Sequence, residues 1–128
     1  VLIRRLVDAV ALVALVAIWI VVLAAFPSLP ATIPTHFQLD GTATGYGPKG
    51  TIFLLPIIAT VVCASLLASG RLGARYLNLP FTIPPAAMPR ALAITHLFVA
   101  LINAMTMLLM WTIVALIVYV AALYRLRA

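Results

Sequence analysis

The sequence predicts an all-α membrane protein, a bundle of three transmembrane helices joined by proline- and glycine-rich loops. Three observations carry this. Hydrophobic residues make up 66% of 128 residues and charged ones only 8%, with a mean hydropathy of +1.28, leaving too little polar surface for a soluble domain. The apolar residues gather in three runs, each near the roughly 20 residues that a spanning helix needs. The basic residues cluster at the ends of those runs: Arg4 and Arg5, Arg71 and Arg75, Arg90, Arg125 and Arg127. That distribution fits membrane anchoring and contact with anionic headgroups, so the net charge of +6 points to a bilayer partner and away from nucleic acid.

The first helix is expected over about residues 6–26. Arg4 and Arg5 give it a basic start like that of a secretory leader. Its apolar stretch is about twice the usual leader length, however, and bulky Phe26-Pro27 follows Ala24-Ala25. It is therefore expected to be a retained helix. Asp8 stands one turn after Arg4, where the two can pair at the membrane interface.

The second helix is expected over about 52–70. Pro56 falls near its start, where a missing N–H costs little. Ala64 and Ala68, with Ser65 and Ser69, make two small-xxx-small pairs, which allow close approach of a neighbouring helix in this chain or another. Cys63, the single cysteine, permits no internal disulfide and fits a small packing residue.

The third helix is expected over about 91–124. Asn103 is the one amide in its apolar run, and an amide in hydrocarbon seeks a partner, so it is expected to face another helix. Tyr119 and Tyr124 suit the far interface. The run exceeds a bilayer's requirement, which implies tilt or projection beyond lipid.

Counting positive charges places the N-terminus inside, with Arg4, Arg5, Arg71, Arg75 and Arg90 cytoplasmic and Lys49, Arg125 and Arg127 outside. The loop at 27–50 then faces out and the loop at 71–90 faces in. Pro27, Pro30 and Pro34 stiffen the first loop; Pro80, Pro84, Pro85 and Pro89 stiffen the second. The two share an echo, Leu29-Pro30-Ala31-Thr32-Ile33-Pro34 against Leu79-Pro80-Phe81-Thr82-Ile83-Pro84.

The first loop concentrates what chemistry the chain has: His36, Asp40 and Lys49. If this piece forms a helical turn, His36 and Asp40 share a face and can pair or offer two metal ligands, short of the four of a closed zinc site. Otherwise Asp40 accepts backbone hydrogen bonds in a turn with Gly41. His96 falls on the opposite membrane face. Gly41, Gly45, Gly47 and Gly50 permit sharp turns, but Lys49 precedes Gly50, unlike the order of a phosphate-binding loop. Tyr46 and Lys49 suit a headgroup zone at the start of the second helix. With two acids and two histidines in the whole chain, general acid–base catalysis has almost no material. No enzymatic activity is expected, and no cofactor is specified.

Residues 29–56, LPATIPTHFQLDGTATGYGPKGTIFLLP, resemble the small membrane domain of unknown function that opens SdpI-type toxin-immunity proteins. The resemblance rests on Pro30, Ile33, Pro34, His36, Gly41, Gly45, Tyr46, Lys49 and Pro56, and more weakly on Asn78-Leu79-Pro80-Phe81-Thr82-Ile83. Where that family continues the second motif with an acidic residue and asparagine, this chain has Pro84, Pro85 and Ala86. The resemblance implies a bacterial inner-membrane protein whose histidine-bearing loop faces out.

Three helices with few internal polar contacts bury little, so packing against other membrane subunits is expected. The function expected is an accessory or partner-binding subunit held by its helices. The contact set would be the loop residues Pro30, Ile33, Pro34, His36, Asp40, Gly41, Gly45, Tyr46 and Lys49, with Asn103 between helices. One form is a peripheral subunit of a respiratory, photosynthetic or oxygenase assembly. The other is an immunity or peptide-sensing element. The rival class is a metal- or proton-binding enzyme subunit using His36 and Asp40, or a pigment ligand at His36 or His96.

Overall fold

The computed structural model of the protein describes residues 2–73, 75 and 80–127, the last four by backbone alone. Asn78 and Leu79 of the second motif, and the side chains of Tyr124, Arg125 and Arg127, lie outside the described residues. Helix α1 runs Leu2–Ala25 and ends in a short 3-10 turn, Phe26–Ser28. Strands β1 (Thr32–Phe37) and β2 (Ala43–Pro48) follow, then a 3-10 turn, Lys49–Phe53, that leads into α2, Leu54–Ser69. A last 3-10 turn, Pro85–Ala87, opens α3, Met88–Arg127.

Valine- and isoleucine-rich segments are indifferent helix formers in water. Lipid offers no partner for backbone N–H and C=O groups, so a spanning segment must satisfy them internally, and the helix does so. Three spans, Leu2–Ser28, Lys49–Ser69 and Pro85–Leu123, have the length and hydropathy to cross a membrane. Most of their surface faces outward and is aliphatic: Val13, Val16 and Ile20 on α1, Val61 on α2, Met105 and Leu109 on α3.

The inward faces recur at helical spacing and are mostly small. They comprise Ala11, Ala14, Ile18 and Val22 on α1, Pro56, Ala59 and Cys63 on α2, and Ala100, Ala104, Met107, Val114, Ile117 and Ala121 on α3. Small side chains bring helix backbones close where dispersion, not water exclusion, drives association. Helix α1 packs chiefly on α3, with α2 laid against both. Ala64, Ser65 and Ala68 are exposed, so of the two alternatives these small pairs do not serve helix contact within the chain. Ala59 and Cys63, one turn earlier, occupy that seam instead.

Polar contacts cross the helices among the described residues. Trp19 Nε1 donates to Thr60 Oγ1 at 2.9 Å, and that hydroxyl donates to the Pro56 carbonyl at 2.7 Å. Asn103 is fully buried and its Nδ2 donates to Cys63 Sγ at 3.6 Å, tying α3 to α2. Its Oδ1 is buried without a hydrogen-bond partner. Pro56 is the third residue of α2, within the first turn whose N–H groups need no intrahelical acceptor.

The fold departs from its expected helical character in the first loop, where an antiparallel β-hairpin replaces any helical turn. The 40 residues of α3 span about 60 Å at 1.5 Å per residue, roughly twice a hydrocarbon core. The hairpin accounts for part of the excess, since Leu29 and Ile33 join one apolar cluster with Val114, Ile117 and Ala121. The described part of the second proline segment, Pro80–Pro84, forms neither helix nor strand, so the sequence echo is not a structural repeat.

Candidate functional site: the hairpin between the first two helices

The turn is built from Gln38 to Thr42. Gly41 N donates to the Gln38 carbonyl at 2.9 Å and Gln38 N to the Thr42 carbonyl at 2.8 Å. Gly41 sits at φ 87°, in the left-handed region that a side chain resists. This is a tight turn closed by a left-handed glycine, one of the common short hairpin connections. Asp40 locks it, its Oδ1 accepting from Thr42 N at 2.9 Å. Hydrogen bonds from the Thr42 backbone and then its side chain hold the Asp40 carboxyl below its ordinary range, because both favour the charged form. Asp40 is thus a turn residue, as one of the two sequence-based alternatives had it.

The strands pair Thr32 with Pro48, Ile33 with Gly47, Pro34 with Tyr46, His36 with Gly45 and Phe37 with Ala43. Thr35 and Thr44 are skipped by this register, each a bulge that leaves one residue unpaired. His36 is exposed and its Nδ1 shares a 3.2 Å hydrogen bond with the Thr35 hydroxyl. Gly45 lies directly under the ring: a Cβ there would sit 2.9 Å from His36 Nδ1 and 3.2 Å from its Cβ. The glycine therefore makes room for the imidazole. His36 in β1 and Asp40 in the turn take separate partners, which overturns the picture of one shared helical face.

At the base, Lys49 N donates to the Ala31 carbonyl at 2.9 Å. Its Nζ stands 4.6 Å from the centre of the Phe26 ring and donates to the Phe26 carbonyl at 3.5 Å. Phe26 in turn meets Phe53 with ring centres 4.8 Å apart. Lys49 thus clasps the end of α1 to the start of α2 and the legs of the hairpin, a more specific task than reaching for headgroups. Pro30 lies in the lead-in to β1, half-buried.

Between β1, the 3-10 turn after β2 and α3 lies a cavity of about 240 Å³. Ile33, Pro34, Thr35, His36, Phe37, Ile52, Leu55, Ile113 and Ile117 are among its lining residues. Above it the tip carries Leu39 fully exposed, and Tyr46 projects from β2 with 54% of its surface free. The structure so gathers Ile33, Pro34 and His36 around one cavity, with Gly45 and Tyr46 on the paired strand, Asp40 and Gly41 at the tip and Lys49 at the base. Asn103 is separate, within the helices. His96 is farther still, since 17 residues of α3 separate it from Ile113, about 26 Å of helix. Among the described residues, no three His, Cys, Asp or Glu side chains converge as metal ligands would. Sequence reasoning missed Leu39, Phe26 and Phe53; the apolar residue just before Asp40-Gly41 was the available signal for Leu39.

The fold defines a multi-pass membrane protein that carries a β-hairpin between its first two spans. Residues 13–60, from mid-α1 through the hairpin into α2, match a family described as Domain of unknown function (DUF1648). An uncharacterized protein of the archaeon Archaeoglobus fulgidus is 28% identical over 67 residues, 52% of this chain and 37% of that protein. The chain thus spans little more than a third of that relative's length. No solved structure matches.

Proposed function

We propose that the chain is a non-catalytic accessory subunit of a larger membrane assembly, engaging a partner through the hairpin. The observation that carries this is the pairing of a fully exposed Leu39 with an apolar cavity beneath β1. An apolar side chain held out by a rigid turn gains about 1.5–3 kcal/mol when a partner covers it. The match of residues 13–60 to a family model, centred on the hairpin, supports the hairpin as the part that defines this chain. Arg4 shares one groove with Arg90 and a second pocket with Arg71. This basic cluster supports an inside N-terminus and an outward hairpin in a bacterial-type cytoplasmic membrane.

Native gels of gently solubilised membranes test the proposal. The wild-type chain should migrate with a stoichiometric companion. Leu39→Ser should weaken that association roughly ten- to a hundredfold while leaving thermal stability unchanged. A chain that migrates alone, or a Leu39→Ser variant that keeps its companion, refutes it. A second reading, immunity or peptide sensing, draws on the resemblance of residues 29–56 and on the two-stranded sheet, to whose edge an extended peptide could add a strand. It predicts association only when such a peptide is supplied.

A further inference from the structure

The cavity beneath β1 has a polar end and an apolar end. Residues opposite each other in an antiparallel pair share a face, so Ile33 and Gly47 point the same way, as does Gly45 two residues along β2. Ile33 is buried in the cluster that includes Ile117, which turns this face of the hairpin toward α3. A Cβ on Gly45 would meet the His36 ring, and one on Gly47 would lie 3.3 Å from Thr35 Cγ2 and 3.7 Å from Thr51 Oγ1. The two glycines form a bare floor over which Thr35, His36 and Thr51 gather, and all three line the cavity.

The second span, Lys49–Ser69, sets the level of these groups in the membrane. Its 21 residues give about 31 Å at 1.5 Å per residue, the thickness of a hydrocarbon core. Thr51 then lies roughly 4 Å inside the hairpin end of that span and Leu55 roughly 10 Å, given the longer rise of the 3-10 turn. The threonines and His36 thus mark the boundary, with Leu55 and Ile113 deeper in the hydrocarbon. Leu54 and Ile113 line the cavity and keep 58% and 36% of their surface free, so its wall continues into the lipid-facing surface.

The boundary end offers a hydrogen-bond donor and no positive counter-charge. A neutral imidazole has one donor and one acceptor, and a threonine hydroxyl has one donor. If the Thr35 hydroxyl donates to His36 Nδ1, the ring keeps its Nε2–H; if Nδ1–H donates, the hydroxyl keeps its own proton. Either arrangement leaves one donor for a ligand. The Thr51 hydroxyl is engaged with the Pro48 carbonyl at 2.7 Å. Among the described residues no Lys or Arg lines the cavity, and Lys49 turns to the Phe26 carbonyl and ring. An anionic head finds no partner here, whereas an uncharged acceptor does.

We propose that this cavity binds the head of a lipid-soluble quinone. One carbonyl oxygen accepts from the Thr35–His36 pair, the ring lies against Ile52, Leu55 and Ile113, and the tail leaves past Leu54 into the bilayer. A cavity of about 150 Å³ takes a benzene molecule, so about 240 Å³ has room for a single substituted ring. Apolar walls with a few placed polar groups are the usual make-up of such sites. Leu39 is not among the lining residues, so this inference and the partner reading fail separately: Leu39→Ser tests that one, and variants of the lining test this one.

The full chain, delipidated in neutral detergent, is titrated by calorimetry with decylubiquinone, decylbenzene and dodecyl phosphate. One decylubiquinone should bind per chain, at least about threefold tighter than decylbenzene, the margin that one hydrogen bond supplies. Dodecyl phosphate should not displace it. The double variant Thr35→Val/His36→Phe should erase the preference over decylbenzene. If that variant misfolds, Ile113→Trp decides: the indole obstructs the apolar end, leaves Thr35, His36 and Thr51 in place and should weaken binding of the quinone. Absence of saturable binding, equal affinity for decylbenzene, displacement by dodecyl phosphate, or undiminished binding in Ile113→Trp would overturn the assignment.

Discussion

Replacing Gly45 with alanine tests the hairpin's internal fit. The new methyl would lie 2.9 Å from His36 Nδ1, 3.3 Å from its Cγ and 3.2 Å from its Cβ, inside ordinary carbon contact distances. Swinging the ring away gives up the 3.2 Å bond to Thr35, worth about 0.5–1.5 kcal/mol, and leaves the Cβ clash in place. Overpacking of this kind costs typically 1–3 kcal/mol. Gly45 does not occupy the left-handed region, so alanine recovers about 0.4–1 kcal/mol from a less free unfolded chain. The net expectation is a loss of about 1–2 kcal/mol in hairpin stability. Hydrogen exchange at the strand amides reads it, in a double-mutant cycle with His36→Gly, which removes the three atoms nearest the methyl. In that background Gly45→Ala should be neutral or mildly stabilising. Additivity of the two changes within about 0.5 kcal/mol would refute the packing of the ring over Gly45.

Two further outcomes follow from the same geometry. Asp40 titrates below its ordinary 3.8, so its support for the turn is complete above that value and fades as pH falls through the lower folded value. The Thr42 amide shift should report this with a midpoint under 3.8 and lose its pH dependence in Asp40→Asn; a midpoint at or above 3.8 contradicts the bond. For Asn103→Leu, an unpartnered Oδ1 predicts neutral or slightly raised stability in detergent unfolding, since a buried orphan acceptor costs about 1–3 kcal/mol. A loss above about 2 kcal/mol would mean that this oxygen has a partner.

The helices were legible because lipid imposes one rule on every spanning segment, and apolar run length reports it directly. Their edges were less so. The third starts at Met88 and runs to Arg127, because Pro89 is harmless in a first turn and the hairpin covers apolar residues past the membrane. The inward face of α2 was not singled out: Ala64 and Ala68 have the spacing of a packing motif, as do Ala59 and Cys63, and composition cannot choose between them. The hairpin was hidden by its own content. Pro34, Gly45, Gly47 and Pro48 are poor strand residues, and β1 buries Ile33 and Pro34 in succession, without alternation. Asp40-Gly41 was the surviving clue, a strong turn signal between two short runs. The clasp of Lys49 on Phe26 joins positions 23 apart, and no local pattern encodes such a contact.

The hairpin's seat against α3 bears on how this protein should be dissected. Excising residues 30–48 would strip the cover from Val114, Ile117 and Ala121 and present greasy helix to water. The truncated protein would clump for that reason alone, and its silence in any binding assay would say nothing about recognition. Single substitutions at the tip leave this shelter in place, and they are the proper instrument.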